Sequence, residues 1–276
     1  MNDFLRENLS YFGLYKKLFA VKKIVMPEQV FYGKHKNQYF LYYEPKEILS
    51  DKIFVWIHGG GWNSGSPKFF DFIGECMARY GYRFISIGYR LAPKYKYPCQ
   101  IEDVCAGFKA SLNFLKCKNI DFSKIVVSGS SAGAHLASIL VYNQQIQKQN
   151  NVDLSCVAGF IGVGGPYSFC NTNLSVKILL NQLFCKNYNR KNGEPCFLQD
   201  KSKVPMLLIQ SEHDGLIDFS CATFMQKKAV ELGNKCELYS VIDKKNTHSW
   251  YTAGMILENR EENQALNKLL SWLEGI

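Results

Sequence analysis

One serine in this chain is placed for nucleophilic chemistry. In Ser128-Gly129-Ser130-Ser131-Ala132-Gly133-Ala134-His135, only Ser131 has a glycine two residues away on each side, whereas Ser130 has Ser128 and Ala132 at that distance. Glycines at those positions allow strained backbone angles and close approach of a strand to the helix that follows, so the serine side chain is thrust out of the turn. A hydroxyl is a poor nucleophile until an imidazole takes its proton, and that imidazole needs a carboxylate to fix its tautomer and balance its charge. The chemistry to look for is therefore acyl transfer, with a histidine and an acid supplied from elsewhere.

Of the five histidines, His248 in Asn246-Thr247-His248-Ser249-Trp250 is the expected base. His35 falls in a polar turn and reads as solvent-exposed. His135, four residues past Ser131 on the same helix, reads as a packing residue or a partner of the helix backbone. His213 adjoins the candidate acid and reads as pointing to the other side of its loop. That acid is Asp214, in Ser211-Glu212-His213-Asp214-Gly215, directly after the apolar run Met206 to Gln210. It lies between serine and histidine in chain order and at a strand's carboxyl end, where a side chain can reach a crevice. Glu212, Asp218 and Asp243 are rivals; Asp218 reads as a helix N-cap and Asp243 as part of a lysine-rich turn.

Acyl transfer also needs donors aimed at the oxygen that becomes negative. His58-Gly59-Gly60-Gly61-Trp62 follows the apolar run Ile53 to Ile57 and offers bare backbone N–H groups. Gly60 and Gly61, with the amide of Ala132 behind the serine, are the expected oxyanion hole. A phosphate-binding loop is the competing reading. Against it, the stretch lacks the lysine-serine/threonine ending of a P-loop and the G-x-G-x-x-G of dinucleotide binders. Trp62, Tyr167, Phe169, Trp250 and Tyr251 adjoin these loops and are expected to line an apolar or aromatic substrate pocket, with ordinary core packing as the alternative.

Positioning these groups calls for alternating strands and helices. Strands are expected near 53–57, 83–87, 124–128, 156–163, 205–210 and 236–242, and helices near 68–80, 100–116, 132–146, 219–232 and 260–274. Runs apolar on both faces, such as Ile53-Phe54-Val55-Trp56-Ile57, imply a mainly parallel central sheet covered by helices on both faces. Gln29 to Tyr32 and Gln38 to Tyr43 read as an antiparallel hairpin at its edge. At the amino terminus, Leu5, Leu9, Phe12 and Phe19 recur at helical spacing, predicting an amphipathic helix over about 3–20 packed on the domain, with a membrane-surface helix as the alternative. The whole of 1–276 reads as a single α/β domain. Within it, 166–203 stands outside the alternation, and Val176, Leu179, Leu180, Leu183 and Phe184 suggest a short helix acting as a small cap insert.

Composition narrows the partners. Lys and Arg number 33 against 24 Asp and Glu, a formal charge of +9. The basic residues are scattered in ones and twos, with no arginine-rich run, so nucleic acid is not an expected partner. The net charge would still draw anionic substrates toward the molecule. The ten cysteines include no C-x-x-C pair, which argues against a zinc site and for reduced thiols in the cytoplasm. No apolar run is long enough for a membrane span, so stable membrane insertion is not expected. The chemistry proposed needs neither metal nor cofactor, only a small-molecule ester substrate.

The motifs together resemble a known family. H-G-G-G-W at 58–62, Y-R-L-A-P at 89–93, I-E-D-V at 101–104, G-S-S-A-G at 129–133, and the later Asp214 and His248 are similar to those of the α/β-hydrolase superfamily. More closely they resemble hormone-sensitive-lipase-like and feruloyl/acetyl esterase-like carboxylesterases, from about residue 30 to the carboxyl end. The resemblance implies an α/β-hydrolase fold, a triad of Ser131, Asp214 and His248, and an oxyanion hole of Gly60, Gly61 and Ala132. It departs at Ser130, where many relatives carry an acid, and after Pro166. The function it implies is that of an acetyl-esterase-like serine carboxylesterase acting on small to medium acyl esters. Two alternatives accompany it: an arylformamidase cleaving N-formylkynurenine-type amides, and a non-catalytic small-molecule-binding protein on the same fold.

Overall fold

The computed structural model describes residues 3–18, 21, 23 and 25–276. Its centre is an eight-stranded sheet: β1 (Glu28–Phe31), β2 (Tyr39–Tyr43), β3 (Ile53–Ile57), β4 (Arg83–Ile87), β5 (Ile125–Ser130), β6 (Val157–Val163), β7 (Met206–Ser211) and β8 (Cys236–Val241). The strand order is β1-β2-β4-β3-β5-β6-β7-β8. β1 and β2 form an antiparallel hairpin, β2 pairs antiparallel with β4, and the remaining pairs are parallel. This is the mainly parallel sheet that the doubly apolar strands imply, with the antiparallel hairpin expected from residues 29–32 and 38–43 at its edge.

Alternation along each strand builds two cores. Ile53, Val55 and Ile57 of β3 pack with α3 (Cys99–Cys117), α4 (Ala132–Tyr142) and α8 (Ser220–Glu231) on one face. Phe54 and Trp56 pack on the other face with α2 (Asp71–Arg79) and α9 (Gln264–Glu274). α9 presents Leu266, Leu269, Leu270 and Leu273 to that core, and its first turn is closed by the Asn263 side chain, which accepts from the Leu266 N–H at 3.0 Å. The helix expected over 132–146 is instead two. Asn143 leaves the helical region and its side chain accepts from the Ile146 N–H, capping a new and unburied helix, α5 (Gln144–Gln149). Asparagine is a strong N-cap, and the glutamine-rich run beyond it has no apolar stripe to continue the packing of α4.

The segment 166–203 contains the expected short helix as α6 (Leu174–Leu183), followed by one turn of 3-10 helix (Arg190–Gly193) and α7 (Pro195–Leu198). Val176, Leu180, Leu183 and Phe184 are buried. Asn63 donates to the Gln182 side chain at 2.7 Å, tying this segment to the loop after β3.

The amino-terminal helix α1 (Asp3–Leu18) is present, but its buried face is not the predicted one. Leu5 and Leu9 are 51% and 54% exposed; the side chains of Phe12 and Tyr15, and all of Phe19, lie outside the described residues. The inward face runs through Glu7, Ser10 and Leu14, spaced i, i+3, i+7, with Glu7 and Leu14 buried. Hydrogen bonding at Glu7 and Ser10 outweighs the apolar spacing that the leucines suggest. Among the described residues no helix is long and apolar enough to cross a membrane.

Candidate active site

Ser131 stands between β5 and α4 in left-handed backbone geometry, φ 52° and ψ −124°. Non-glycine residues take up such angles at a cost of about 1–3 kcal/mol, held by surrounding structure. Here the holding is specific: the Ser131 N–H donates to the Val163 carbonyl at 2.8 Å, and a Cβ at Gly133 would lie 2.0 Å from the Ile57 carbonyl oxygen. A Cβ at Gly129 would lie 2.5 Å from the Gly133 carbonyl. The helix can pack against β3 and β5 this closely only because both flanking residues lack side chains.

Two distant loops converge on this hydroxyl. His248 Nε2 lies 2.8 Å from Ser131 Oγ, and His248 Nδ1 lies 2.7 Å from Asp214 Oδ2. With its proton on Nδ1, the imidazole donates to the carboxylate and its free Nε2 accepts from the serine. Asp214 is itself fixed by several donors. The Leu216 and Ile217 N–H groups each donate to Oδ1 at 2.8 Å, while Tyr251 Oη donates to Oδ2 at 2.5 Å and Gln210 Nε2 at 3.3 Å. Glu212 is turned outward to accept from Ser240. Asp218 accepts from Ser220 one position before the cap of α8, and Asp243 accepts from the Lys245 N–H in its exposed turn.

The buried histidines differ in charge environment. Burial pushes His58 down to about 4, opposed only by its donation to the Gly59 carbonyl; burial pushes His135 down to about 4, opposed by its bond to the Gly193 carbonyl. Burial also disfavours the charged form of His248, yet Asp214, by charge and hydrogen bond, and Glu7 by charge outweigh it and raise His248 above 6.5. Of these three, His248 is the one with a carboxylate at a ring nitrogen, whereas His58 and His135 meet backbone carbonyls. His135 reaches across to other segments rather than to its own helix, bonding Gly193 at 2.6 Å and accepting from Trp62 Nε1 at 3.3 Å. His213 faces Asp3 at 3.7 Å, and the half-buried His35 sits edge-on to Tyr95.

The BD-FAE family model matches residues 41–229. The chain belongs to the BD-FAE family. Ser131 and Asp214 fall inside the match, and Glu7 and His248 outside it. The tuliposide A-converting enzyme 2 of Tulipa gesneriana is 36% identical over 95 residues, 30% of this chain and 25% of that protein. Arylacetamide deacetylase of Bos taurus is 38% identical over 106 residues, 36% of this chain and 26% of that protein. This BD-FAE member thus spans about a quarter of the length of these two relatives. The structure of the Francisella virulence factor BioJ superposes with a TM-score of 0.77 at 19% identity, covering 98% of this chain and 91% of that one. LAE6, an alpha/beta hydrolase from the metagenome of Lake Arreo, superposes with a TM-score of 0.73 at 16% identity over 95% of this chain and 86% of that one, so the fold is that of an α/β hydrolase.

In this BD-FAE protein Ser131 opens into a cavity of about 560 Å³. Gly60, Gly61 and Ala132 line it beside the serine, and among the described residues their N–H groups reach no acceptor. Leu14, Phe69, Phe70, Val176, Leu179 and Ile217 supply much of the apolar wall, and among the described residues no Asp, Glu, Lys or Arg side chain lines it. Of the five residues expected in the pocket, Trp62 is there and the other four are not. Tyr167 is fully buried in the core while its neighbour Pro166 takes the wall; Phe169 stacks on His135 at 5.8 Å. Trp250 lies under Lys17 at 4.7 Å, and Tyr251 is turned to Asp214. Residues 248–257 are helical, so Thr252, four residues on, shares the cavity with His248, while the two intervening aromatics point elsewhere. Adjacency in sequence misled there because the local period is helical. Glu7, Gln210 and Leu14 escape the sequence reading altogether; the spacing of Glu7, Ser10 and Leu14 on one helix face is the signal that could have found the first and last.

Proposed function

We propose that the chain is a serine carboxylester hydrolase of acetyl-esterase type, acting on uncharged esters with small to medium acyl groups through an acyl-enzyme on Ser131. The observation that carries this reading is the unbroken hydrogen-bonded series Ser131–His248–Asp214, opening into an apolar cavity. In the first half-reaction Ser131 Oγ attacks the ester carbonyl carbon while its proton passes to His248 Nε2. The N–H groups of Gly60, Gly61 and Ala132 stabilise the oxyanion. The carbon–oxygen bond to the alcohol then breaks, and the imidazolium returns the proton to the departing oxygen. Water, deprotonated by His248, repeats the attack on the acyl-serine and releases the acid, restoring Ser131. Asp214 holds the imidazole in the required tautomer throughout.

The cavity lies within the ~300–1,000 Å³ usual for small-molecule sites. Among the described residues the walls carry no Lys or Arg side chain, which supports an uncharged ester. Val176 and Leu179 of α6 stand on the wall, which supports reading 166–203 as a small cap that limits acyl length. Kinetics on p-nitrophenyl esters of increasing acyl length, with fluorophosphonate labelling, test the proposal. We expect turnover of short and medium esters, label on Ser131, and a loss of ~10⁴-fold or more in kcat for Ser131→Ala. An unlabelled Ser131, or a variant as active as the parent on p-nitrophenyl acetate, overturns it. The aromatic wall of Trp62, Phe69 and Phe70 favours an N-formyl aromatic amide as the second reading; kcat/KM higher for N-formylkynurenine than for p-nitrophenyl butyrate would select it.

A further inference from the structure

The carboxylate of Glu7 is 1% exposed, an unusual place for an acid on an amino-terminal helix. Its two oxygens are both occupied: Oε2 accepts from the N–H of His248 and Oε1 from the N–H of Ser249 at 2.9 Å. These are the first two residues of the helical stretch 248–257, whose opening N–H groups have no carbonyl of their own helix to bond. A carboxylate from another helix therefore caps the helical stretch that presents His248, where anions are also favoured by the helix dipole. Around it, Thr247 Oγ1 donates to Ser10 Oγ at 2.8 Å, Ser10 Oγ lies 2.9 Å from Ser249 Oγ, and Ser10 Oγ bonds the Glu7 carbonyl at 2.8 Å. α1 and the His248 loop, some 240 residues apart in sequence, are thus locked at three consecutive residues.

We infer that Glu7 is a positioning residue for the reaction: by gripping the His248 and Ser249 amides it fixes the main chain from which the imidazole spans Ser131 and Asp214, and its negative charge favours the imidazolium formed during acyl transfer. This rests on His248 acting as the base. Two bonds to consecutive amides fix both the place and the pitch of the turn. A side chain that must meet partners at 2.7 and 2.8 Å on opposite ring nitrogens tolerates little displacement of that turn. Misplacement of reacting groups by about 1 Å can cost ~10²-fold in rate. The titratable and charged groups facing His248 are Asp214 from the loop after β7, Tyr251 from its own helical stretch, Ser131 at the start of α4, and Glu7 from α1. The charge of Glu7 adds to that of Asp214 in favouring the protonated imidazole.

The test compares Glu7→Ala and Glu7→Gln in the full chain, reading kcat, KM and the pH dependence of kcat/KM on p-nitrophenyl butyrate. For Glu7→Ala we expect kcat down by about 10- to 100-fold, on the scale of a small misplacement, with KM changed less than about threefold. Glutamine retains one acceptor and the shape but not the charge. It should recover part of kcat while the acid limb of the profile still moves to lower pH, because a charge that favoured protonated His248 is gone. Should Glu7→Ala fold poorly, Glu7→Gln alone decides through that limb. Parent kcat and an unmoved acid limb in both variants, with the parent enzyme labelled at Ser131, overturn the role of Glu7. An unlabelled and inactive parent overturns instead the esterase reading beneath it.

Discussion

The two halves of the site are built in opposite ways. The serine half is local: β5, the turn at Ser131 and α4 are consecutive in the chain, and the glycine loop after β3 joins through strand pairing of Ile57 with Gly129. The histidine half is assembled from α1, the loop after β7 and the stretch after β8, which meet only in the folded molecule. In the first half precision comes from backbone sterics, with no room for a Cβ at Gly133. In the second it comes from hydrogen bonds between side chains and main chain, each replaceable singly. Strained, close-packed turns should thus fail through stability, and polar assemblies through rate and pH dependence.

The largest effect separating the halves is expected at Asp214. Asp214→Asn keeps size and most donors but leaves His248 in the wrong tautomer, so kcat should fall by ~10⁴-fold while the thermal midpoint moves little. A midpoint that drops steeply with only a modest loss of kcat would mean that this carboxylate holds the loop rather than the imidazole. The serine half should show the converse at Gly133. A methyl group 2.0 Å from the Ile57 oxygen forces β3 and α4 apart. A clash of this kind costs about 3 kcal/mol, so Gly133→Ala should lower Tm by on the order of 10 °C. An unchanged melting curve would show that the strand and helix are not held together as closely as the geometry requires.

The same contrast explains what could be read from the sequence. Ser131 was legible because steric demands leave a local mark: glycines at fixed offsets between a β-branched run and a helix. The parallel sheet was legible from strands such as Ile53–Ile57, apolar on both faces. Asp214 and His248 could be placed by strand ends and chain order, and they do meet in the fold. Glu7 could not, since a polar residue on a helix reads as solvated until its distant partner is known. The exposed Leu5 and Leu9 made the wrong face of α1 look like the buried one. Tyr251 was noticed for the wrong reason, as an aromatic beside a loop, when its hydroxyl is the part in use.

That hydroxyl gives the smallest predicted effect and the sharpest comparison with Glu7. Tyr251 is fully buried, and its Oη donates to the same Asp214 oxygen that His248 Nδ1 meets. The donated bond spreads charge that the imidazolium would otherwise face alone. Tyr251→Phe removes one of several donors to Asp214, so kcat should fall by about tenfold, the lower end of what one hydrogen bond to a charged group is worth. Its signature is the direction of the pH shift. His248 is already held above 6.5 by Asp214 and Glu7, so the acid limb of kcat/KM should have its midpoint above that value and activity should rise as the imidazole loses its proton. Without the tyrosine bond the carboxylate acts more strongly on the imidazolium, and the limb should move to higher pH, opposite to the shift expected for Glu7→Gln. pH profiles of the two single variants and the double variant check this. Shifts of the same sign would mean that both side chains act on the placement of His248 alone, with no separate influence on its charge.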